Sequence, residues 1–311
     1  MNITLRQLSY VIALAETRHF GRAADQCHVT QPALSNQIKE LEVRLGTPLF
    51  VRERKGVELT SSGQDVLATA KRIMAELERM EDAVHWQRGL TGRLRLGVIP
   101  TVAPYLLPVA LPLIRGQTTG LDLRLREAQT ADLISDLEDG RLDAAIIALP
   151  SGVSGMVETP LFRDRFLLAG TAEHIVDITQ NHPVLRPDVI DPDQLLLLDE
   201  GHCLADQALE ACGFPRGGRR VDLGAASLGT LCRLAAGGLG VTFLPEMARH
   251  DEQKATPDLS VARFADPQPS RQIGLVRRNL SPHIEWFNTL AGLLKTAGRA
   301  VASPSGHASG S

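Results

Sequence analysis

The sequence has no hydrophobic run long enough to cross a membrane. No apolar stretch in its 311 residues approaches the roughly 20 residues that a transmembrane helix needs. The first six residues also lack the basic and then apolar pattern of a secretory signal. We therefore expect a cytoplasmic protein.

Cysteine is scarce, and none of the four cysteines belongs to a CxxC pair of the kind that binds zinc. They are Cys27, Cys203, Cys212 and Cys232. In a reducing compartment, a bond between any two of them would be transient rather than structural. We expect no metal and no other cofactor.

The chain also lacks an excess of positive charge, because 33 Lys and Arg face 36 Asp and Glu, for a net charge of −3. This balance excludes a uniformly polycationic nucleic-acid-binding protein, but it allows a local basic surface. The length exceeds that of one compact core, so we expect two or more domains.

Residues 6–58 have the pattern of three short helices followed by a hairpin. The third helix is the most clearly marked, because Thr30 is a good N-cap, Pro32 suits the first turn and Gly46 ends it. Its apolar face is formed by Leu34, Ile38, Leu41 and Leu45. Residues 50–59 fit two short strands around a basic turn.

The other face of this third helix carries groups that can read DNA. A recognition helix presents side chains near its N-terminus to base edges. Glutamine and serine can bond bases, whereas lysine and arginine neutralise phosphates. The candidate DNA-binding residues are Thr30, Gln31, Pro32, Ser35, Lys39, Arg52 and Arg54. By this pattern alone, a small helical protein-binding module is the alternative.

A single long helix is predicted from Ser61 to about Gly89. Its apolar residues are spaced alternately by four and three, at Val66, Ala70, Ile73, Leu77, Met80 and Val84. This spacing is typical of a coiled-coil seam, so we expect dimerisation through this helix. The alternative, a helix packed on its own domain, would show a broader apolar stripe.

From residue 93 the chain alternates predicted strands and helices, which indicates parallel sheets covered by helices in two α/β lobes. Strands are predicted at 93–99, 121–127, 142–149, 166–170, 195–198, 241–244 and 273–276, and helices at 103–115 and 131–139. Residues 298–311 are rich in Ser, Gly and Ala, and we expect a disordered tail there.

Two of the cysteines lie in one short segment. Cys203 follows a strand and a turn at Gly201, beside His202, and the next residues favour helix. Free backbone N–H groups at a helix start and a neighbouring positive charge favour the thiolate form of a cysteine. A thiolate attacks peroxide to give a sulfenic acid.

The spacing from Cys203 to Cys212 has a geometric consequence. Their nine-residue separation corresponds to about 900° of rotation and roughly 13 Å of rise in an α-helix. A disulfide needs Cα atoms within about 7 Å of each other. If both cysteines lie on one helix, they cannot bond until it unwinds, which would make the segment a two-state switch. Two buried apolar thiols are the alternative.

The first sixty or so residues resemble those of LysR-type transcription regulators. The matching residues are Arg22-Ala23-Ala24, Val29-Thr30-Gln31-Pro32-Ala33-Leu34-Ser35, Ile38, Leu41-Glu42, Leu45-Gly46, Pro48-Leu49-Phe50, Arg52 and Thr60 to Gly63. The resemblance implies an α+β multi-domain fold. A winged helix-turn-helix would occupy residues 1–60, and a coiled-coil linker helix residues 61–90. A two-lobed α/β regulatory domain, similar to periplasmic binding proteins, would occupy residues 91–297, with lobe I at 91–163 and 269–297 and lobe II at 164–268.

The remainder of the chain resembles the hydrogen-peroxide sensors of that family. The match is carried by Gly201-His202-Cys203-Leu204, Asp206-Gln207-Ala208 and Cys212, with further matches such as Ile99-Pro100-Thr101, Glu127-Ala128-Gln129-Thr130 and Ile273-Gly274-Leu275-Val276. The resemblance implies that Cys203 is the peroxidatic cysteine and Cys212 the resolving one. It also implies that Thr101, Thr130, His202 and Asp206 orient peroxide and water.

Five more residues bear on this interpretation. Arg271 either stabilises the thiolate or is a surface cation, while Cys27 and Cys232 are interpreted as packing residues. Ala205 stands where such sensors often carry a basic residue, which implies a slower reaction, and Gly229 stands where an acidic residue is common.

The expected function is therefore that of a peroxide-sensing, DNA-binding regulator of oxidative-stress genes. Its expected partners are promoter DNA, hydrogen peroxide, RNA polymerase, a glutaredoxin- or thioredoxin-type reductant and itself, in a homotetramer built as a dimer of dimers. It would use peroxide stoichiometrically, so it would not be an enzyme. The alternatives are a regulator with a small-molecule effector between the lobes, and a thiol peroxidase.

Overall fold

The computed structural model describes residues 3–53, 56–86, 92–118, 120–199, 201, 203–214, 221–279 and 285–302. The chain divides into two compact units, one formed by the residues through His85 and the other by most of the chain from Trp86 onward. Within these described ranges, no helix is long and apolar enough to cross a membrane.

The first unit packs helices against a short hairpin. Its elements are α1 (Leu5–Thr17), α2 (Phe20–Gln26), α3 (Gln31–Leu45), β1 (Phe50–Glu53), β2 (Gly56–Leu59) and α4 (Ser61–Trp86). The helix starts follow local chemistry, since the side chains of Thr4, His19 and Thr30 each accept a bond from the first turn of the next helix. The predicted third helix and its cap at Gly46 are confirmed.

The core of the first unit lies between α1, α2 and α3. Leu34, Ile38 and Leu41 on α3 are buried there as predicted, but Leu45, at the end of the same stripe, is 37% exposed. The hairpin pairs Phe50 with Leu59 in antiparallel register, which confirms the two predicted strands.

The long helix α4 uses its apolar residues in two ways. Val66 packs on the core of its own unit and Ala70 is buried, whereas Ile73 is 41% exposed. The side chains of Met80 and Val84 lie outside the described residues. Part of the predicted seam therefore serves packing within the unit, and dimerisation through the helix stays a prediction.

The second unit alternates strands and helices, as the sequence pattern indicates. Its elements are β3 (Gly92–Val98), α5 (Ala103–Gln117), β4 (Leu121–Glu127), α6 (Thr130–Glu138), β5 (Ala144–Leu149), β6 (Met156–Gly170), α7 (Ala172–Asn181), β7 (Leu196–Leu198), α8 (Cys203–Cys212), β8 (Val221–Ala225), α9 (Leu228–Ala236), β9 (Thr242–Pro245), α10 (Arg249–Ala255), β10 (Ser260–Arg263), β11 (Ser270–Arg278) and α11 (Glu285–Ala302). The bounds of the domains and lobes stay predictions.

The prediction of parallel sheets is wrong for much of the second unit. β3 is parallel to β4 and β5, and β7 is parallel to β8. β11 is antiparallel to both β5 and β6, and β6 is antiparallel to β9 and β10. An alternation of strands and helices shows what lies between the strands, but it does not show in which direction a strand re-enters the sheet.

The long strand β6 connects two groups of strands. Residues 156–165 pair with β11, in the group that contains β3, β4 and β5. Residues 166–170 pair with β9 and β10, and β7 lies beside β9 through the bridge from Leu195 to Val241. We call the first group, with α5, α6 and α11, lobe I, and the second group, with α7 to α10, lobe II.

The prediction of disorder from Gly298 onward is wrong for residues 298–302, because α11 continues to Ala302. Gly298 is buried, and a Cβ there would collide with the Phe162 ring. The small residues at this end of the chain therefore permit close packing of the helix on β6. Residues 303–311 lie outside the described residues.

Replacing Gly298 with alanine is expected to lower the free energy of unfolding by about 1–3 kcal/mol, because the added methyl overpacks the contact with Phe162. Gly292 lies on the exposed face of the same helix with nothing near its missing Cβ. Gly292→Ala should therefore raise stability by about 0.5–1 kcal/mol. Urea unfolding, followed by tryptophan fluorescence, measures the free energy of unfolding of both variants. Equal values for Gly298→Ala and Gly292→Ala would contradict the packing of Gly298 against Phe162.

Candidate thiol site and nucleic-acid interface

The helix α8 begins at Cys203 and ends at Cys212, so both cysteines lie on one intact helix. Both thiols are free, with Cys203 half-buried and Cys212 buried. The helix is preceded by Gly201, whose φ of +92° favours glycine and whose missing Cβ leaves room for the Gln129 side chain. In this conformation the predicted constraint applies: a Cys203–Cys212 disulfide cannot form while α8 is intact.

Burial decides the state of the second thiol. Burial raises the pKa of Cys212 to about 12, and the negative charge of Asp188 acts in the same direction. Cys212 is therefore a neutral thiol at physiological pH while α8 is folded. It can serve as a nucleophile only after the helix opens.

Cys203 faces a cavity of about 1070 Å³. The cavity contains three more of the residues predicted for the site, namely Thr130, Asp206 and Arg271, so the fold brings together residues far apart in the sequence. Thr130 is the first residue of α6, and its buried hydroxyl has no hydrogen-bond partner among the described residues. A buried hydroxyl with that free capacity can bond a small polar molecule.

The charge of Arg271 is matched inside the protein. Its Nε lies 3.0 Å from Oδ2 of Asp164, and both side chains are completely buried. Its guanidinium also donates to the hydroxyl of Thr101 at 2.8 Å and to the carbonyl of Thr101 at 3.1 Å. The interpretation of Arg271 as a surface cation is therefore wrong, and Thr101 reaches the site through Arg271.

Two groups near the cavity were not among the predicted site residues. Asp164 lies on β6 between Arg163 and Arg165. Burial raises the pKa of this carboxyl, while the positive charge of Arg271 opposes the rise. Gln207 lines the cavity one turn after Cys203, and its buried carbonyl oxygen has no partner among the described residues. No local pattern singled out Asp164, because it stands between two arginines in a strand that also carries Glu158.

The other two cysteines and Ala205 lie in apolar surroundings. Cys232 is fully buried in α9, where burial raises its pKa to about 12, and Cys27 is partly buried against the core of the first unit. Both are thus packing residues, as predicted. Ala205 is also buried, so a basic side chain there would face a desolvation cost. His202 lies outside the described residues, so its predicted role stays a prediction.

The start of α3 carries four of the predicted DNA-reading residues, namely Thr30, Gln31, Pro32 and Ser35, and Lys39 lies further along the same helix. Thr30, Gln31, Pro32 and Lys39 are exposed, and Ser35 is half-buried. Thr30 also caps the helix, with its hydroxyl accepting from the N–H of Ala33 at 3.4 Å. Arg54 and the side chain of Arg52 lie outside the described residues. An exposed helix start that carries hydroxyl and amide groups is suited to reading base edges.

A helix-turn-helix unit followed by a two-lobed α/β unit defines a class of bacterial transcription regulators, and family comparison agrees. Residues 5–64 match the family described as "Bacterial regulatory helix-turn-helix protein, lysR family", and residues 87–299 match the "LysR substrate binding domain". The chain belongs to the LysR family of transcription regulators.

Within that family, its relatives are named for hydrogen peroxide. The chain is 43% identical over 298 residues to the "Probable hydrogen peroxide-inducible genes activator" of Streptomyces viridosporus, covering 95% of each protein. It is 37% identical over 295 residues to the "DNA-binding transcriptional dual regulator OxyR" of Escherichia coli, covering 93% of this chain and 94% of that protein.

Two solved structures show the same similarity along 97% of this chain. Full-length OxyR of Pseudomonas aeruginosa, with a cysteine changed to aspartate, has a TM-score of 0.74 and 33% identity, covering 97% of this chain and 100% of that one. A hydrogen-peroxide-bound cysteine-to-serine mutant of Corynebacterium glutamicum OxyR has a TM-score of 0.62 and 34% identity, covering 97% and 96%.

Iodoacetamide is expected to modify Cys203 of the reduced protein well before Cys212 and Cys232. The pKa of each buried thiol is about 12, so roughly one in ten thousand is ionised at pH 8. Their modification should accelerate about tenfold per pH unit, since the thiolate is the reactive form. Time-resolved peptide mass spectrometry measures the order, with denatured protein as the control. Equal rates for Cys203 and Cys212 in the folded protein would contradict the burial described above.

Proposed function

We propose that this protein is a transcription regulator that senses hydrogen peroxide through oxidation of Cys203 and a Cys203–Cys212 disulfide, and so controls oxidative-stress genes. The observation that carries the proposal is the placement of the two thiols. One lies at a cavity at the start of α8, and the other is buried at the far end of the same helix.

The first chemical step takes place in the cavity. The thiolate of Cys203 attacks one oxygen of hydrogen peroxide, the O–O bond breaks, and hydroxide leaves with a proton from the site, so Cys203 becomes a sulfenic acid. Thr130 and Asp206 line the cavity, and in this proposal their hydroxyl and carboxyl groups orient peroxide and water. Family resemblance assigns the same role to Thr101 and His202. Arg271 holds Thr101 through two hydrogen bonds.

The second step changes the fold. Cys212 attacks the sulfenic acid sulfur, a disulfide forms and water leaves. Because a disulfide requires Cα atoms within about 7 Å, α8 must unwind for this step. The opening also removes Cys212 from the burial that raises its pKa to about 12. Oxidation and refolding are therefore coupled in one segment.

The proposed regulator also has an assembly, a compartment and partners. The protein works in the cytoplasm as a homotetramer that binds promoter DNA, acts on RNA polymerase and is reset by a glutaredoxin- or thioredoxin-type reductant. An open apolar groove of about 460 Å³, which includes Leu5, Leu45 and Ile73, supports pairing through α4. The protein consumes one peroxide per cycle of oxidation, so it acts as a sensor rather than as an enzyme.

The size of the cavity supports a second candidate, in which a small-molecule effector binds between the lobes. A volume of about 1070 Å³ lies in the range of sites that hold drug-sized ligands. Under this alternative, Cys203→Ser would leave the transcriptional response intact. A thiol peroxidase would instead turn over peroxide in many-fold excess when a reductant is added.

One equivalent of hydrogen peroxide is expected to convert the reduced protein to a Cys203–Cys212 disulfide, because the attack and the resolving step use these two thiols alone. Peptide mass mapping before and after treatment measures the product. Cys212→Ser should instead stop at the sulfenic acid of Cys203, and Cys27→Ser should behave as the parent. A protein without the Cys203–Cys212 link after oxidation would refute the switch.

Gln31 and Lys39 are expected to contribute differently to DNA binding. Loss of a base contact in Gln31→Ala should reduce discrimination between sequences by about 1–3 kcal/mol. Lys39→Ala should weaken binding to all sequences alike. It should also reduce by about 1 the slope of the logarithm of the binding constant against the logarithm of the salt concentration. Gel shifts on genomic fragments enriched by the parent protein, at several salt concentrations, separate the two effects. Identical behaviour of the two variants would argue against α3 as the reading helix.

A further inference from the structure

The cavity around Cys203 is assembled from both lobes. Thr130 and Arg271 belong to lobe I, whereas Cys203 and Asp206 lie on α8 in lobe II. The helix α8 packs on β7 and on a 3-10 turn at Pro187–Val189, which are also in lobe II. The distance between the thiol and the groups opposite it therefore depends on how the two lobes are held.

One buried hydrogen bond ties the lobes together away from the cavity. The hydroxyl of Tyr105, on α5 of lobe I, donates to Oε1 of Glu252, on α10 of lobe II, at 2.7 Å. Both residues are buried, with exposed fractions of 7% and 9%. Burial and the neighbouring Glu252 carboxylate both raise the pKa of Tyr105, so its hydroxyl stays protonated and remains a donor at physiological pH.

This bond acts on a part of lobe I that leads directly to the site. Tyr105 lies one helical turn beyond Thr101, which holds the guanidinium of Arg271. A hydrogen bond with a charged acceptor is stronger than a neutral one, and leaving such an acceptor unpaired when buried is costly. The Tyr105–Glu252 bond is therefore suited to fixing the start of α5 against lobe II.

Gly229 has a place in the same arrangement. A Cβ at this position would lie 3.1 Å from Nη1 of Arg233 and 3.5 Å from Oε2 of Glu252. Arg233 also donates to the carbonyl of Gly229 at 3.0 Å. A side chain at this position would press on both groups, so glycine leaves the Glu252 carboxylate uncrowded as the acceptor for Tyr105.

We propose that Tyr105 and Glu252 are positioning residues for the peroxide reaction, and that their bond across the lobes holds Thr130 and Arg271 in register with Cys203. The inference rests on the proposed function. Thr130 and Arg271 come from lobe I, whereas the helix start that carries the thiol belongs to lobe II. Loss of the bond should therefore slow the reaction with peroxide without altering the thiol itself.

The test compares two reactions of Cys203 in the reduced full-length protein. Tyr105→Phe and Glu252→Ala should each lower the second-order rate constant for oxidation by hydrogen peroxide about tenfold, since misplaced groups lose much of their effect. Glu252→Gln keeps an acceptor oxygen and should stay within about threefold of the parent. Alkylation of Cys203 by iodoacetamide should change by less than about twofold in all variants, because it reports the thiolate alone.

Tyr10→Phe supplies a matched control, because it removes the hydroxyl of the other tyrosine, which is buried in the first unit. Cys203 in this variant should react with peroxide at the rate of the parent protein. Equal peroxide rates for parent, Tyr105→Phe and Glu252→Ala would overturn the inference, as would alkylation that slows by the same factor as oxidation. If Tyr105→Phe fails to fold, the contrast between Glu252→Ala and Glu252→Gln decides. A parent protein whose Cys203 resists peroxide would instead overturn the proposed function, and this inference with it.

Discussion

The buried ion pair between Arg271 and Asp164 holds the regulatory unit together at the point where its two lobes meet. The two residues are direct register partners on β11 and β6, at the place where β6 passes from one lobe to the other. Asp164 also accepts from the backbone N–H of Met247, while Arg271 holds the hydroxyl and carbonyl of Thr101. Removing one partner of such a pair costs about 3–5 kcal/mol, because it leaves the other charge buried and unmatched. The ion pair thus joins β6 and β11 to the loop at Thr101 and to the 3-10 turn at Glu246–Ala248.

This pairing also shapes the electrostatics of the site. The carboxylate of Asp164, 3.0 Å from Arg271, offsets much of the positive field that the guanidinium would exert on its surroundings. At the far end of α8, burial raises the pKa of Cys212 to about 12 and keeps this thiol neutral. One helix therefore separates a thiol that faces a cavity from one that must be released before it can react.

Local patterns in the sequence predicted local structure well. Thr30, Pro32 and Gly46 defined α3 because capping depends on a few neighbouring residues, and Gly201 followed by helix-forming residues placed Cys203 at a helix start. The early part of β6 was missed, because its charged residues and Pro160 conceal a strand that pairs with β11. The end of α11 was read as disordered, because the need for a glycine opposite Phe162 cannot be seen until the two elements are packed. The cross-lobe bond of Tyr105 escaped prediction for the same reason, since it joins residues 147 positions apart.

By itself, the sequence determined the helix α3 and the alternation of strands and helices in the second unit, together with the constraint between Cys203 and Cys212. Each of these follows from spacing along the chain, which periodicity and helix geometry convert directly into structure. The tertiary structure alone decided the antiparallel return of β11 and β6 and the partner of Arg271. It also decided that Cys203 shares a cavity with Thr130. These features depend on which segments meet after folding, and the energies involved come from burial and charge pairing between residues that the sequence keeps far apart.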